Sequence, residues 1–237
     1  MQSIEISIAG EEIFKIFGFS ATNTFILSVL ASLGIIFVFF ISFGAKRIIP
    51  RWHQNLLEFI LETFYNFASS ITGDEKKTKE IFPIAATFFI LILVSNLFEL
   101  IPGVGVFHFL RSPSSDLNFT IALALFSVVY INYSAIRKLG PFSYLKKFLN
   151  FKSPVLLFVG LLEGISELNR ILSLSFRLFG NLFAGEVLLI VTSFLFAFIL
   201  PLPFLFLEIL VGLIQALIFA SLTVIFYVNA TQTEHGK

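Results

Sequence analysis

The sequence predicts an all-α, polytopic membrane protein with five transmembrane helices, and three observations carry that prediction. The first is composition: 57% of the 237 residues are hydrophobic and only 13% charged, with a mean hydropathy of +0.94. Soluble domains carry about 25% charged residues and about half apolar ones. The second is the presence of five apolar runs of about 20 residues or more, the length needed to cross a hydrocarbon core of about 30 Å. The third is the crowding of Lys and Arg between alternate runs. A net charge of +1 gives no reason to expect a nucleic-acid partner.

The first span is expected at 23–43 and the second at 82–101, where Pro102-Gly103 closes it. The third covers 118–136. The fourth, 154–200, is near twice the needed length, so it is read as a long tilted polar helix or one that bends along the membrane. The fifth, 203–229, is expected to pair with the fourth. Residues 52–71 differ. Gln54 or Asn55, Glu58, Glu62 and Asn66 recur at helical spacing, and Leu56, Phe59, Ile60, Phe64 and Phe67 fill the other side. That pattern predicts an amphipathic helix at the membrane interface, with an internal packing helix as the alternative. No internal repeat, linker or second domain is evident, so residues 1–237 are read as one integral membrane domain.

Positive charge sets the expected orientation. Lys46, Arg47, Arg51, Lys76, Lys77 and Lys79 lie between the first two spans, and Arg137, Lys138, Lys146, Lys147 and Lys152 between the third and fourth. Lys237 follows the fifth. The opposite side holds only Lys15 and Arg111. The positive-inside rule then puts the N-terminus outside and the C-terminus in the cytoplasm. Residues 1–20 carry Glu5, Glu11 and Glu12 against Lys15, which is unlike the basic start of a signal peptide.

The absence of cysteine excludes disulfides and thiolate chemistry. His53, His108 and His235 fall near or beyond the span ends, so no metal or haem site is expected from them. The chemistry concentrates in the fourth span. Placed on one helix at 100° per residue, Glu163, Ser166, Glu167, Arg170, Ser173, Arg177 and Asn181 fall within a sector of about 120°. Glu163, Glu167 and Arg170 have the spacing of a structural ion-pair cluster. Arg177 has no acidic residue at i±3 or i±4, and an Arg at a helix centre costs about 2.5–3.5 kcal/mol on the milder insertion scale. It therefore calls for a partner elsewhere, in this chain or another. Glu186 lies about 180° around the helix from Arg177, beside Gly185 and Ala184, where small residues admit a neighbouring helix. Glu208, Gly212 and Gln215 share a face of the fifth span. Two intramembrane carboxylates on adjacent helices suggest a proton or cation path; structural carboxylates are the alternative. A secondary transporter would be expected to show repeated, broken helices, and a redox anchor paired intramembrane histidines; neither pattern is present.

These residues carry a resemblance. The segment SLSFRLFGNLFAGE at 173–186 looks like the signature of subunit a of F-type ATP synthases, and LIQALIFASLTVIFY at 213–227 resembles that family's last helix. SNLFELIPG at 95–103, PSSDLNFTIALAL at 113–125 and LLEG at 161–164 are similar to it as well, so the likeness runs from about residue 50 to the C-terminus. It implies a non-catalytic subunit that stands beside a rotating ring of c subunits and provides two aqueous half-channels, one from each side. Arg177 would be the essential charge facing the ring carboxylate. Glu186, Glu208, Asn181 and Gln215 would line the outer half-channel, with Asp116 nearer its mouth, and Glu163 and Ser166 the inner one. The implied partners are the c-ring, a peripheral stalk subunit b and the lipid bilayer of a bacterial cytoplasmic membrane; the ion is H⁺ or Na⁺, and no cofactor is implied. Many relatives pair Glu with His at the positions that hold Glu186 and Glu208, and this chain has Glu at both.

Overall fold

The computed structural model describes residues 12–16, 19–43, 52–100, 111–148, 153–195 and 201–232. His108, His235, Lys46, Arg47, Arg51, Lys152 and Lys237 lie outside these residues, as do the expected end of the second span at Ile101 and residues 196–200 of the fourth. Among the described residues, a short antiparallel hairpin, β1 (Glu12–Ile16) and β2 (Phe19–Thr22), precedes seven α-helices. The hydropathy pattern gave no sign of that hairpin. The helices are α1 (Asn23–Phe43), α2 (Trp52–Thr72), α3 (Glu75–Leu97), α4 (Leu117–Leu139), α5 (Pro141–Phe148), α6 (Pro154–Leu195) and α7 (Pro201–Thr231). Of these, α1, α3, α4, α6 and α7 are long and apolar enough to cross a membrane. The expected five-span helical architecture is therefore present, with the hairpin added ahead of the first span.

Helix ends follow local chemistry more closely than hydropathy. The second span was expected to begin at Phe82, but α3 begins at Glu75 because the Asp74 carboxylate caps it, accepting from the Lys76 amide at 2.9 Å. Lys76, Lys77 and Lys79 are thus helical, and Lys79 pairs with Glu75 one turn back at 2.6 Å. Pro83 sits inside α3, where it cannot donate to the carbonyl one turn earlier. After Leu97 the chain tightens into a 3₁₀ turn, Phe98–Leu100. Asp116 caps α4 in the same way, accepting from the Asn118 amide at 2.9 Å. The fourth span is one continuous helix of 42 residues, about 63 Å at 1.5 Å per residue.

The core lies where α3 packs on α7 and α4 packs on α6 and α7. Small side chains let these helices approach: Ala85, Ala124, Ala135, Ala216 and Ala220 are fully buried. Phe88 meets Phe219 edge-on with ring centroids 5.4 Å apart. Polar groups inside are paired between helices, as in Ser127 with Thr223 at 3.0 Å and Thr120 with Ser175 at 3.3 Å. Helix α2 packs on α3 and α7, burying Phe64 and Ala68 and stacking Phe64 on Phe89 at 5.0 Å. Leu56 and Phe59 stay exposed, so α2 has one apolar edge in the core and another uncovered. Helix α1 is the most peripheral span; Leu27 and Ala31 are buried while Phe25, Leu33, Phe37 and Phe40 face outward, as lipid-facing side chains do.

Candidate functional site: a charged helix face and two buried carboxylates

Helix α6 turns Leu174, Leu178 and Leu182 into the bundle and leaves Phe158, Val159, Leu162, Ile165, Leu172 and Phe176 exposed. The polar stripe runs along the edge between these faces. Ser166, Ser173, Arg177 and Asn181 are exposed, and Glu163 is half-buried. Glu167 and Arg170 are the structural pair that their spacing allowed, joined at 2.7 Å, with the guanidinium 4.9 Å from the Phe226 ring centre on α7. Arg177 is different. Its guanidinium donates to Ser173 Oγ at 3.2 Å, one turn back, and among the described residues it forms no ion pair. It shares a shallow cleft with Gln215 of α7, lined also by Leu174, Leu178, Ile218 and Phe219. The charge that the sequence marked as needing a partner is thus presented on an uncovered face, with an amide side chain beside it.

Glu186 and Glu208 behave in the opposite way. They are 8% and 6% exposed, and each is held at the end of the bundle where α6 finishes and α7 begins. Gly185 brings the two helices together there. A Cβ on Gly185 would collide with Glu208 Oε1, and it would lie 3.2 Å from Glu208 Cδ, so the carboxylate occupies the space that the missing side chain leaves. Gly212 has a matching role against α3: the Asn96 amide donates to its carbonyl at 2.9 Å, and a Cβ there would lie 3.0 Å from Asn96 Cβ. Glu208, Gly212 and Gln215 are all buried, on the shared face expected for them. Asp116 is buried and accepts from Thr24 Oγ1 of α1 at 2.5 Å while capping α4. Glu163 and Ser166 stand apart from these groups, about 21 Å and about 16 Å along α6 from Arg177 at 1.5 Å per residue.

Two contributions were missed in the sequence. Arg111, counted there only as an outer-side charge, is 8% exposed, and its Nε lies 3.4 Å from Glu186 Oε2. Lys138, counted as a loop cation, lies in the last turn of α4. Its ammonium pairs with Glu80 of α3 and donates to the Tyr227 hydroxyl of α7 at 2.8 Å, and that hydroxyl donates to Glu80 Oε2 at 2.6 Å. The only local signal for these contacts was charge close to a span boundary, since every partner lies on another helix.

Comparison with known proteins gives a consistent answer. Residues 24–228 match the family model described as ATP synthase A chain. The chain is 37% identical over 210 residues to an ATP synthase subunit a of Moorella thermoacetica, covering 89% of each chain. It is 36% identical over 195 residues to an ATP synthase subunit a of Campylobacter jejuni, covering 81% of this chain and 82% of the relative. An ATP synthase subunit a of Aliarcobacter butzleri is 36% identical over 208 residues, covering 86% and 87%.

Proposed function

Because the chain belongs to the ATP synthase A chain family, we propose that it is the non-catalytic ion channel of a rotary ATP synthase. In this reading it forms two half-channels that load and unload protons, or Na⁺, on the carboxylates of a ring of c subunits, and a stalk subunit b holds it still. It sits in a bacterial cytoplasmic membrane with its N-terminus outside. The carrying observation is Arg177: a permanent charge about 35 Å from the start of α6 at 1.5 Å per residue, on an uncovered apolar face, with Ser173 as its hydrogen-bond partner.

The physics of such a charge fits the role. Two unit charges about 4 Å apart interact by about 4 kcal/mol at an effective dielectric of 20, roughly a thousandfold in a proton equilibrium. A guanidinium can therefore make a passing carboxylate release its proton. It stays charged at any working pH and so does not relay the proton itself. Buried Glu186 and Glu208, with Asn181 and Gln215 nearer Arg177 and Asp116 at the mouth, supply the outer path. Glu163 and Ser166 supply the inner one, toward the opposite end of α6. On α6, Asn181 and Glu186 follow Arg177 while Glu163 and Ser166 precede it, and this separation supports two half-channels in preference to one continuous pore.

Arg177→Ala is the decisive experiment. It is expected to abolish ATP-driven ion pumping in membrane vesicles while the subunit remains in the complex. Normal coupled pumping by that variant would overturn the proposal.

A further inference from the structure

The mechanism above uses Glu186 but leaves unexplained the arginine beside it. Arg111 begins a run, Arg111–Asp116, of which every residue is buried. This run includes the short 3₁₀ turn Pro113–Ser115 and wedges between the ends of α3, α4 and α6. The guanidinium is fastened to its own turn. Its Nε donates to Ser115 Oγ at 3.3 Å and one terminal nitrogen donates to the Ser115 carbonyl at 3.4 Å. Ser115 Oγ donates in turn to the Ser112 carbonyl at 2.9 Å, and Ser112 Oγ to the Ser95 carbonyl of α3 at 3.1 Å. The arginine is therefore anchored to its own turn and, through it, to a span. Glu186 Oε2 lies 3.4 Å from Nε, yet accepts no hydrogen bond from the described residues. The contact supplies charge without closing the carboxylate in a fork of two hydrogen bonds.

A buried ion pair is a poor device for stability alone, because the cost of taking two charges out of water offsets most of their attraction. The arrangement is better explained by what Glu186 has to do. We propose that Arg111 is the fixed counter-charge of Glu186, a positioning residue that holds this buried carboxylate in place in the outer ion path while leaving Oε2 open to the travelling ion. Glu208 lies against Gly185, the residue before Glu186, and Asp116 ends the run that Arg111 begins; among the described residues, Arg111 is the cation paired with Glu186. The proposal rests on the reading of Glu186 as an outer-path residue.

Four variants of the chain in its assembled complex test it, with ATP-driven proton pumping and the amount of assembled subunit as readouts. Arg111→Met is expected to slow pumping at least tenfold, and Arg111→Lys, which keeps the charge, to stay within about threefold of the unaltered protein. Arg111→Met combined with Glu186→Gln is expected to pump no more slowly than Glu186→Gln alone, because the cation matters only to the carboxylate. Normal pumping by Arg111→Met, or a double variant slowed by the product of the two single effects, overturns the proposal. Should Arg111→Met fail to assemble, adding Glu186→Gln is expected to restore assembly, and continued failure would show that Arg111 serves some other contact. A Glu186→Gln complex that pumps normally removes the outer-path reading, and this proposal with it.

Discussion

Arg177 and Glu186 are both charges on α6, and they are handled in opposite ways. Arg177 stood out in the sequence because an arginine in the middle of an apolar helix, with no acid one turn away, is costly and calls for a partner elsewhere. Its exposure on the uncovered face agrees with a partner outside the chain. The setting of Glu186 was only half legible. Its position opposite the stripe followed from helical periodicity, but its ion pair with Arg111 joins segments far apart in sequence, and no spacing rule reports such a contact. The same holds for Gly185, whose neighbour Glu208 lies on α7. Gly185→Ala is expected to displace the Glu208 carboxylate and slow ATP-driven pumping severalfold. Gly34→Ala on α1 is a fair control, because a Cβ there meets nothing within 4 Å; equal behaviour of the two variants would show that the close approach at Gly185 is unimportant. Glu208→Gln keeps the shape and removes the charge. It is expected to slow transport and shift the pH dependence of the rate, whereas an unchanged profile would make Glu208 a packing residue.

Whole elements were more legible than single contacts, for a physical reason. A span is defined by a long apolar run, which no soluble alternative explains, so α1, α4, α6 and α7 fall close to where hydropathy puts them. The start of α3 was misplaced because hydropathy discounts Glu75, Lys76, Lys77, Lys79 and Glu80, although Asp74 provides a capping signal in plain view. Helix α2 shows the limit of amphipathic reasoning. Its moment marks a helix with two unlike faces but does not say whether lipid or protein covers the apolar one, and here Phe64 and Ala68 go to protein. The extra turns of α3 and α4 have a use: they bring Glu80 and Lys138 to Tyr227 of α7 and tie three helices at one end of the bundle. Tyr227→Phe removes the hydroxyl and leaves the Glu80–Lys138 pair in place. Because the cluster is partly exposed, the expected loss is modest, about 1 kcal/mol, read as a lower thermal midpoint for the subunit in the purified complex with pumping largely kept. A loss of pumping without any loss of heat resistance would move this cluster from structure to function.

At the scale of the whole molecule, the two ends of the bundle are finished differently and its flank is left open. One end gathers Thr24, Arg111, Asp116, Glu186 and Glu208, from the starts of α1, α4 and α7 and the far part of α6. The other gathers Glu80, Lys138 and Tyr227. Between them, α6 exposes a stripe of apolar side chains broken by Ser166, Ser173, Arg177 and Asn181. In a bilayer, an apolar face alone would suit lipid, but a face with a guanidinium at its middle calls for a protein surface that carries an opposite charge. On the proposed reading, with a ring of c subunits against this face, the exposed and buried sides of α6 predict which residues can reach the ring. With a cysteine placed beside the ring carboxylate, Ser173→Cys and Asn181→Cys are expected to form disulfide cross-links to it under mild oxidation. Leu174→Cys and Leu182→Cys, each one residue away but buried in the bundle, are expected to give none. Should the leucine positions cross-link and the stripe positions stay free, α6 would have to rotate by roughly half a turn in the assembly, and Arg177 would no longer face the ring.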